Sequence, residues 1–310
     1  MSGIVGLADL AALLRRVLPL PWMYRLARLN GTLVYWLRPA KRHLVARNLA
    51  PFAQGDGELR SMTRKFFQYR QTRVLMLLLF REMSLEERRH FLDIDGLAHL
   101  DDALSAGKGA VLLSSHLNSL GLFILFMTLR QRGYDVQVAL PSDDELFQST
   151  RVGKYLQRRS DRPELKDELG GFFVQFNVRP IVKRLADNVI IGQTGDGWHS
   201  TAFAKVPFLD RSLPFTTGMM SIAQTTGAMI VPCTIVGAPP NIRCVISPPF
   251  RVPKSDDATG DLVRGVARFV AAFERDLRDN LLCWEHWLIE DTLETMETWP
   301  GRPLQERLEV

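Results

Sequence analysis

Apolar positions fall along this chain in two rhythms. From residue 110 onward, short continuous apolar runs alternate with segments whose large apolar side chains recur every three or four positions. The first rhythm reads as buried strands and the second as amphipathic helices. The spacing predicts strands at 110–115, 134–140, 171–176, 189–193, 229–236 and 243–246. It predicts helices at 117–130, 143–159, 180–186, 217–226 and 262–280. Such alternation implies an α/β fold, with a mixed, largely parallel sheet flanked by helices.

Upstream the pattern is helical. Residues 39–49 read as a short basic helix, 51–57 as a Pro/Gly/Asp loop, and 58–80 as a helix in which Met62, Phe66, Phe67 and Tyr69 lead into the apolar run 74–80. A further helix carries Leu97, Leu100 and Leu104 between glycine-bearing turns. From Leu10 to Tyr35 large apolar residues are interrupted by Arg15, Arg16, Arg25 and Arg28, so no uncharged apolar stretch reaches the length of a membrane span. No basic region precedes a cleavable apolar core, which argues against a secretory signal. The pattern fits a helix lying on a membrane surface. It divides the chain into a basic amphipathic helical cap, 1–80, and an α/β domain, 81–310, within one structural unit.

Charge sharpens that division. The formal net charge is +5, yet residues 1–73 hold 13 Lys or Arg against 3 Asp or Glu. A basic quarter sits on an acidic body. Nucleic acid and an anionic membrane are the two partners such a patch suits. The interleaving of the basic residues 15–73 with aliphatics, and the lack of any nucleic-acid-binding motif, favour the membrane. At 46% hydrophobic and 24% charged, the chain can bury a full core. Its three cysteines form no disulfide framework and no Cys/His cluster, so a reducing cytoplasm and no metal are expected.

Chemistry concentrates where the strand 110–115 ends. In Gly109-Ala-Val-Leu-Leu-Ser-Ser-His-Leu-Asn-Ser-Leu-Gly121, a buried strand runs into His116 and then into a helix. Open α/β sheets place ligands at such strand ends, and imidazole is the natural base near neutral pH. A serine hydrolase is the competing reading. Asn118-Ser119-Leu120-Gly121 approaches the G-x-S-x-G elbow, but Leu117 replaces the first glycine and the strained turn is lost. Ser115, adjacent to His116, would point to the opposite side of an extended chain.

Several blocks in fixed order carry a resemblance. They are Lys41-Arg-His-Leu-Val-Ala-Arg-Asn-Leu49, Phe66–Gln71, Asp95–Leu100 with Ala106–Gly109, the histidine segment, Phe203–Gly218 with its Val-Pro-Phe and Thr-Gly, Gly227–Pro232, and Trp284-Glu-His286. Together they resemble the bacterial lipid A biosynthesis acyltransferases, within the lysophospholipid acyltransferase superfamily. The resemblance implies a glycerol-phosphate-acyltransferase-like fold on the cytoplasmic face of the bacterial inner membrane, peripheral or monotopic. It implies transfer of a fatty acyl group from acyl carrier protein, or from coenzyme A, to a hydroxyl or amine of a lipid-like acceptor. His116 would be the general base, with no cofactor beyond the thioester donor and no metal or acyl-enzyme.

The chain departs from the family pattern at informative places. The carboxylate five residues after the histidine is Gly121. An Arg-Pro pair becomes Leu140-Pro141, an Asp-Gln appears as Gln193-Thr-Gly-Asp-Gly197, and two arginines after the C-terminal histidine are Trp287 and Leu288. Asp196 is the candidate replacement partner for His116, although an Asp between two glycines is also ordinary turn chemistry. His199 is a second candidate. Asn118, Lys205 and Arg211 are candidate substrate contacts, the last two for a phosphate. Thr216, Thr217 and Gly218 begin a helix whose N–H groups would meet an oxyanion. Two functions stay open: a divergent acyltransferase, and a catalytically impaired member that binds acyl chains or acyl carrier protein.

Overall fold

The N-terminal helices pack on the helix that follows the histidine segment and on the turns between residues 281 and 288. In the computed structural model the described residues are 13–15, 17–140, 173–175, 177–197, 202–238, 241–289, 292–298 and 302–303; the helix expected at 143–159 lies outside them. Helices α1 (Leu20–Leu37), α2 (Pro39–Leu49) and α3 (Asp56–Glu82) come first. They are followed by α4 (Leu85–Phe91), β1 (Asp93–Asp95), α5 (Leu97–Leu104), β2 (Ala110–Ser114), α6 (Ser119–Gln131) and β3 (Val136–Leu140). Next are β4 (Phe173–Gln175), α7 (Val178–Ala186), β5 (Ile190–Thr194), β6 (Ala202–Phe208), β7 (Arg211–Thr216) and α8 (Gly218–Thr226). The chain continues through β8 (Met229–Ala238), β9 (Asn241–Ile246) and α9 (Ala258–Asp279), two tight turns at Leu281–Cys283 and Glu285–Leu288, α10 (Thr292–Glu297) and β10 (Arg302–Pro303).

Seven strands form the main sheet in the order β1-β9-β8-β2-β5-β3-β4, and only the β8–β9 pair is antiparallel. This is the mixed, largely parallel sheet flanked by helices that the apolar rhythm predicts. β2 lies at its centre and every one of its residues is buried, as a strand covered on both faces must be. Alternation sorts its side chains. Val111 and Leu113 join a cluster with Met219 of α8 and Phe269 of α9, while Ala110 and Leu112 join Leu122 and Leu125 of α6. Helix α9 presents Leu262, Val266, Phe269, Val270, Phe273 and Leu277 to the core. Its N-terminus is closed by Asp257, whose carboxylate accepts from the Gly260 N–H at 2.9 Å.

The segment 203–215, where the apolar rhythm predicts no strand, is a two-stranded hairpin. Phe203, Val206 and Phe208 point inward while Lys205 and Pro207 are exposed. Pro207 and Pro214 hide this alternation in the sequence, because proline argues against a strand. The turn is made by Leu209 and Asp210, at φ 50° and 62°, in place of the usual Asn-Gly signal.

The cap is joined to the rest of the fold by α3, which packs on α6 and on the turn at Leu281–Cys283. Tyr24, Ala27, Gly31 and Tyr35 form the inward face of α1 against it, with Gln68 Nε2 donating to Thr32 Oγ1 at 2.9 Å. The outward face of α1 is apolar too. Trp22, Leu26, Leu29, Leu33 and Trp36 are exposed, Trp22 at 54% and Trp36 at 63%.

Candidate active site

β2 and β5 run in register, Ser114 beside Thr194, so both chains leave the sheet at the same point. The Gly195 N–H donates to the Ser114 carbonyl at 2.7 Å. A side chain at 195 would begin 2.7 Å from the Phe269 ring, so only glycine lets the β5 strand end pass beneath α9. The next residue, Asp196, is thereby delivered to His116.

Asp196 Oδ1 lies 2.8 Å from His116 Nδ1. Its Oδ2 accepts from the His116 main-chain N–H at 2.7 Å and from Trp284 Nε1 at 2.9 Å. The carboxylate is completely buried, while 33% of the His116 side-chain surface stays open. With Nδ1 turned to the carboxylate, Nε2 is the nitrogen left to take a proton. This is the orienting geometry of a His–carboxylate pair.

The electrostatics follow from the packing. Burial works against the charged imidazole, but the Asp196 charge and hydrogen bond outweigh it, with Glu285 adding in the same sense; the His116 pKa is raised. Burial also opposes the charge on Asp196. The His116 charge and the hydrogen bonds from His116 and Trp284 reverse this and hold the carboxyl well below the usual carboxylate range. His286, its ring centroid 4.4 Å from that of His116, is pushed down to about 3, first by burial and then by the His116 charge. At neutral pH it is an uncharged neighbour.

Trp284 and His286 reach the site from the segment after α9. Leu117 and Trp284 pair as an antiparallel bridge, with the Asn118 N–H on the Cys283 carbonyl at 2.9 Å. The Trp284 indole is fully buried among Phe208, Phe273 and Trp287, which fixes its N–H on Asp196. Asn48, from the basic Arg-Asn-Leu block of α2, donates to the Trp287 and Ile289 carbonyls at 3.1 and 2.8 Å. Thus the cap holds the turn that carries His286. Sequence reasoning assigned no site role to Trp284 or His286; the Trp-x-His spacing was the signal available.

Position 121, where the resemblance implies a carboxylate, is closed by packing. Gly121 is buried in the first turn of α6, and a Cβ there would sit 2.9 Å from Ile235 Cγ2. The other expected site residues have different partners. Asn118, at φ 52°, is buried, and its Nδ2 donates to the Ile235 and Gly237 carbonyls at 2.9 and 3.1 Å. It pins β8 rather than facing a ligand. Arg211 is exposed and ion-paired with Glu297 at 2.9 Å, and Lys205 is exposed on β6. The helix after Thr217 exists, but the Thr217 N–H donates to the Ala202 carbonyl and the Gly218 N–H to Thr216 Oγ1. Those two groups are therefore engaged locally instead of awaiting an oxyanion. His199 lies outside the described residues.

His116, Asp196 and His286 each offer a ligand atom within 4.8 Å of the others. The Asp196 oxygens already accept three hydrogen bonds, so a cation would have to displace the His116 ring from its partner. The donor set fits proton handling better than metal binding.

A family model described as bacterial lipid A biosynthesis acyltransferase matches residues 4–282. The matched span contains His116, Gly121 and Asp196 and stops two residues before Trp284. No curated protein matches the chain.

Proposed function

Since the chain belongs to the bacterial lipid A biosynthesis acyltransferase family, we propose that it is an acyltransferase in which His116 is the general base and Asp196 stands in for the carboxylate missing at residue 121. The observation that carries this reading is the 2.8 Å contact between His116 Nδ1 and Asp196 Oδ1. The donor is an acyl thioester, on acyl carrier protein or coenzyme A, and the acceptor a hydroxyl or amine of a lipid-like molecule. Nε2 removes the acceptor proton as the acceptor oxygen or nitrogen attacks the thioester carbonyl. The new C–O or C–N bond forms, the C–S bond breaks, and the proton passes to the departing thiolate. Asp196 holds the imidazole in the reactive tautomer and stabilises the imidazolium formed on the way.

The cap supplies the place of work. Trp22, Leu26, Leu29, Leu33 and Trp36 are spaced by four and three residues along one exposed face of α1, flanked by Arg25 and Arg28. The Arg25 guanidinium lies 4.8 Å over the Trp22 ring. Among the described residues no helix is long and apolar enough to cross a membrane. α1 therefore lies in the surface of an anionic bilayer, at the cytoplasmic face of the inner membrane, where acceptor lipid and thioester donor meet.

The test is acyl transfer from a thioester to bacterial membrane lipid by purified enzyme. Wild type should release thiol and form acylated lipid, and His116→Ala should do neither. A binder that had lost catalysis would retain acyl chains or carrier protein with no thiol released by either form; that result would overturn the reading.

A further inference from the structure

Glu285 lies between Trp284 and His286 in the chain and faces α3 of the cap, and its role is not covered by the His116–Asp196 pair. Its main-chain N–H donates to the His116 carbonyl at 3.3 Å. Its carboxylate is gripped from α3, with Arg73 Nη2 at 2.7 Å from Oε1 and Arg70 Nε at 3.4 Å from Oε2. Arg73 is fully buried, and among the described residues its Nε and Nη1 meet no hydrogen-bond acceptor.

Stability alone gives little reason for this arrangement. Each unmet buried donor costs about 1–3 kcal/mol, and buried ion pairs are often matched or bettered by apolar side chains of similar size. What the clamp does secure is the place of Glu285, the residue that touches the main chain of His116.

We propose that Glu285, clamped by Arg73 and Arg70, is a positioning residue for His116. Its main chain fixes the histidine backbone, and its carboxylate supplies a second negative charge that favours the imidazolium. This rests on the reading of His116 as the base. The charged and titratable groups around the imidazole are Asp196 from the turn after β5, Glu285 and His286 from the turns after α9, and Arg70 and Arg73 from α3 behind Glu285. Cys283 beside them stays a neutral thiol, because burial pushes its pKa up. The arginines hold Glu285 below the ordinary carboxylate range despite its burial, so the second charge is present wherever the enzyme works.

The experiment is an NMR titration of the His116 ring in the full-length ¹⁵N-histidine-labelled protein, assigned with His116→Gln. Glu285→Gln keeps the shape, removes the charge and leaves two arginines uncompensated. The His116 midpoint should fall by about 0.5 unit or more, in line with the loss of a nearby opposite charge. The pair Arg73→Met/Glu285→Met removes one charge of each sign, guards against a folding defect in the single variant, and should lower the midpoint by less than Glu285→Gln does, because the loss of Arg73 offsets part of the loss of Glu285. A purely structural clamp would lower thermal stability and leave the midpoint at its wild-type value in both variants, which overturns the proposal. The titration needs no turnover. A failed shift with acyl transfer intact therefore removes only the role of Glu285, whereas absence of thioester turnover in wild type removes the proposed activity.

Discussion

Asp196→Asn is the most revealing single exchange, because the carboxylate accepts three hydrogen bonds and an amide can accept only some of them. Two donors, the His116 main-chain N–H and Trp284 Nε1–H, converge on Oδ2. Placing the amide oxygen there keeps both. The amide NH2 then faces His116 Nδ1, where Oδ1 stood at 2.8 Å. The reverse rotamer would set an NH2 against two N–H donors, at about 1–3 kcal/mol for each unmet group, so the first rotamer wins. His116 Nδ1 must then accept, the ring proton moves to Nε2, and the base is lost while the fold is kept. The same exchange in a serine-protease triad lowers kcat about 10⁴-fold, equivalent to about 5.4 kcal/mol of barrier. Loss of the neighbouring charge also lowers the His116 pKa. In wild type that pKa is raised, so activity should appear as pH rises through a midpoint above the usual histidine value of about 6.5. The assay is thiol release from an acyl thioester in the presence of acceptor membranes, across pH 5–9, with circular dichroism to verify folding. A folded variant with activity within about tenfold of wild type and an unmoved acid limb would break the link between Asp196 and His116.

Three further outcomes follow from particular contacts. Gly121→Asp, which places a carboxylate where the resemblance implies one, should lower stability by about 3 kcal/mol, because its Cβ meets Ile235 and its carboxylate enters an apolar layer. It should also fail to rescue Asp196→Asn; thermal melts and rescued turnover are the readouts, and recovered turnover would show that position 121 still addresses the histidine. His286 is neutral in the folded state down to about 3 but takes a proton near pH 6.5 when unfolded, so wild-type stability should fall as pH drops from about 6 to 4. In His286→Gln that slope should shrink by up to about 1.4 kcal/mol per pH unit, measured by urea unfolding; an unchanged slope would mean that His286 is protonated in the native protein. Replacing Trp22, Leu29 and Trp36 together by Ser should weaken binding to anionic vesicles about 10²-fold or more, given about 1.5–3 kcal/mol per buried large side chain, with no loss of thermal stability. Unaltered co-sedimentation would rule out the outer face of α1 as the membrane contact.

The sheet was legible because β2, β5 and β8 are continuous apolar runs bounded by polar or glycine-bearing turns, and burial of both faces demands that pattern. The hairpin β6–β7 was not, because Pro207 and Pro214 interrupt its alternation and its turn uses Leu209 and Asp210. His116 stood out as a polar residue at the end of a buried strand. Asp196 could be nominated but not placed. Eighty residues separate it from His116, and only the parallel register of Ser114 with Thr194 brings the two strand ends together. The strand contacts of Asn118 were hidden for a related reason. A side chain two residues from a base is equally placed to cap a neighbouring strand, and the left-handed backbone at 118 turns it to β8. The ion pair of Arg211 was not legible because its partner, Glu297, is distant in sequence. Trp284 and His286 lie beyond the span matched by the family model, and their proximity to Asp196 depends on α9 returning the chain to the sheet.

The ¹⁵N chemical shifts of the His116 ring, read above its titration midpoint in the wild-type protein, report the pairing without any assumption about substrate. A protonated Nδ1 and an unprotonated Nε2, exchanged in Asp196→Asn, are the predicted result. An Nε2-protonated ring in wild type, or shifts indifferent to Asp196→Asn, would show that Asp196 does not orient the base.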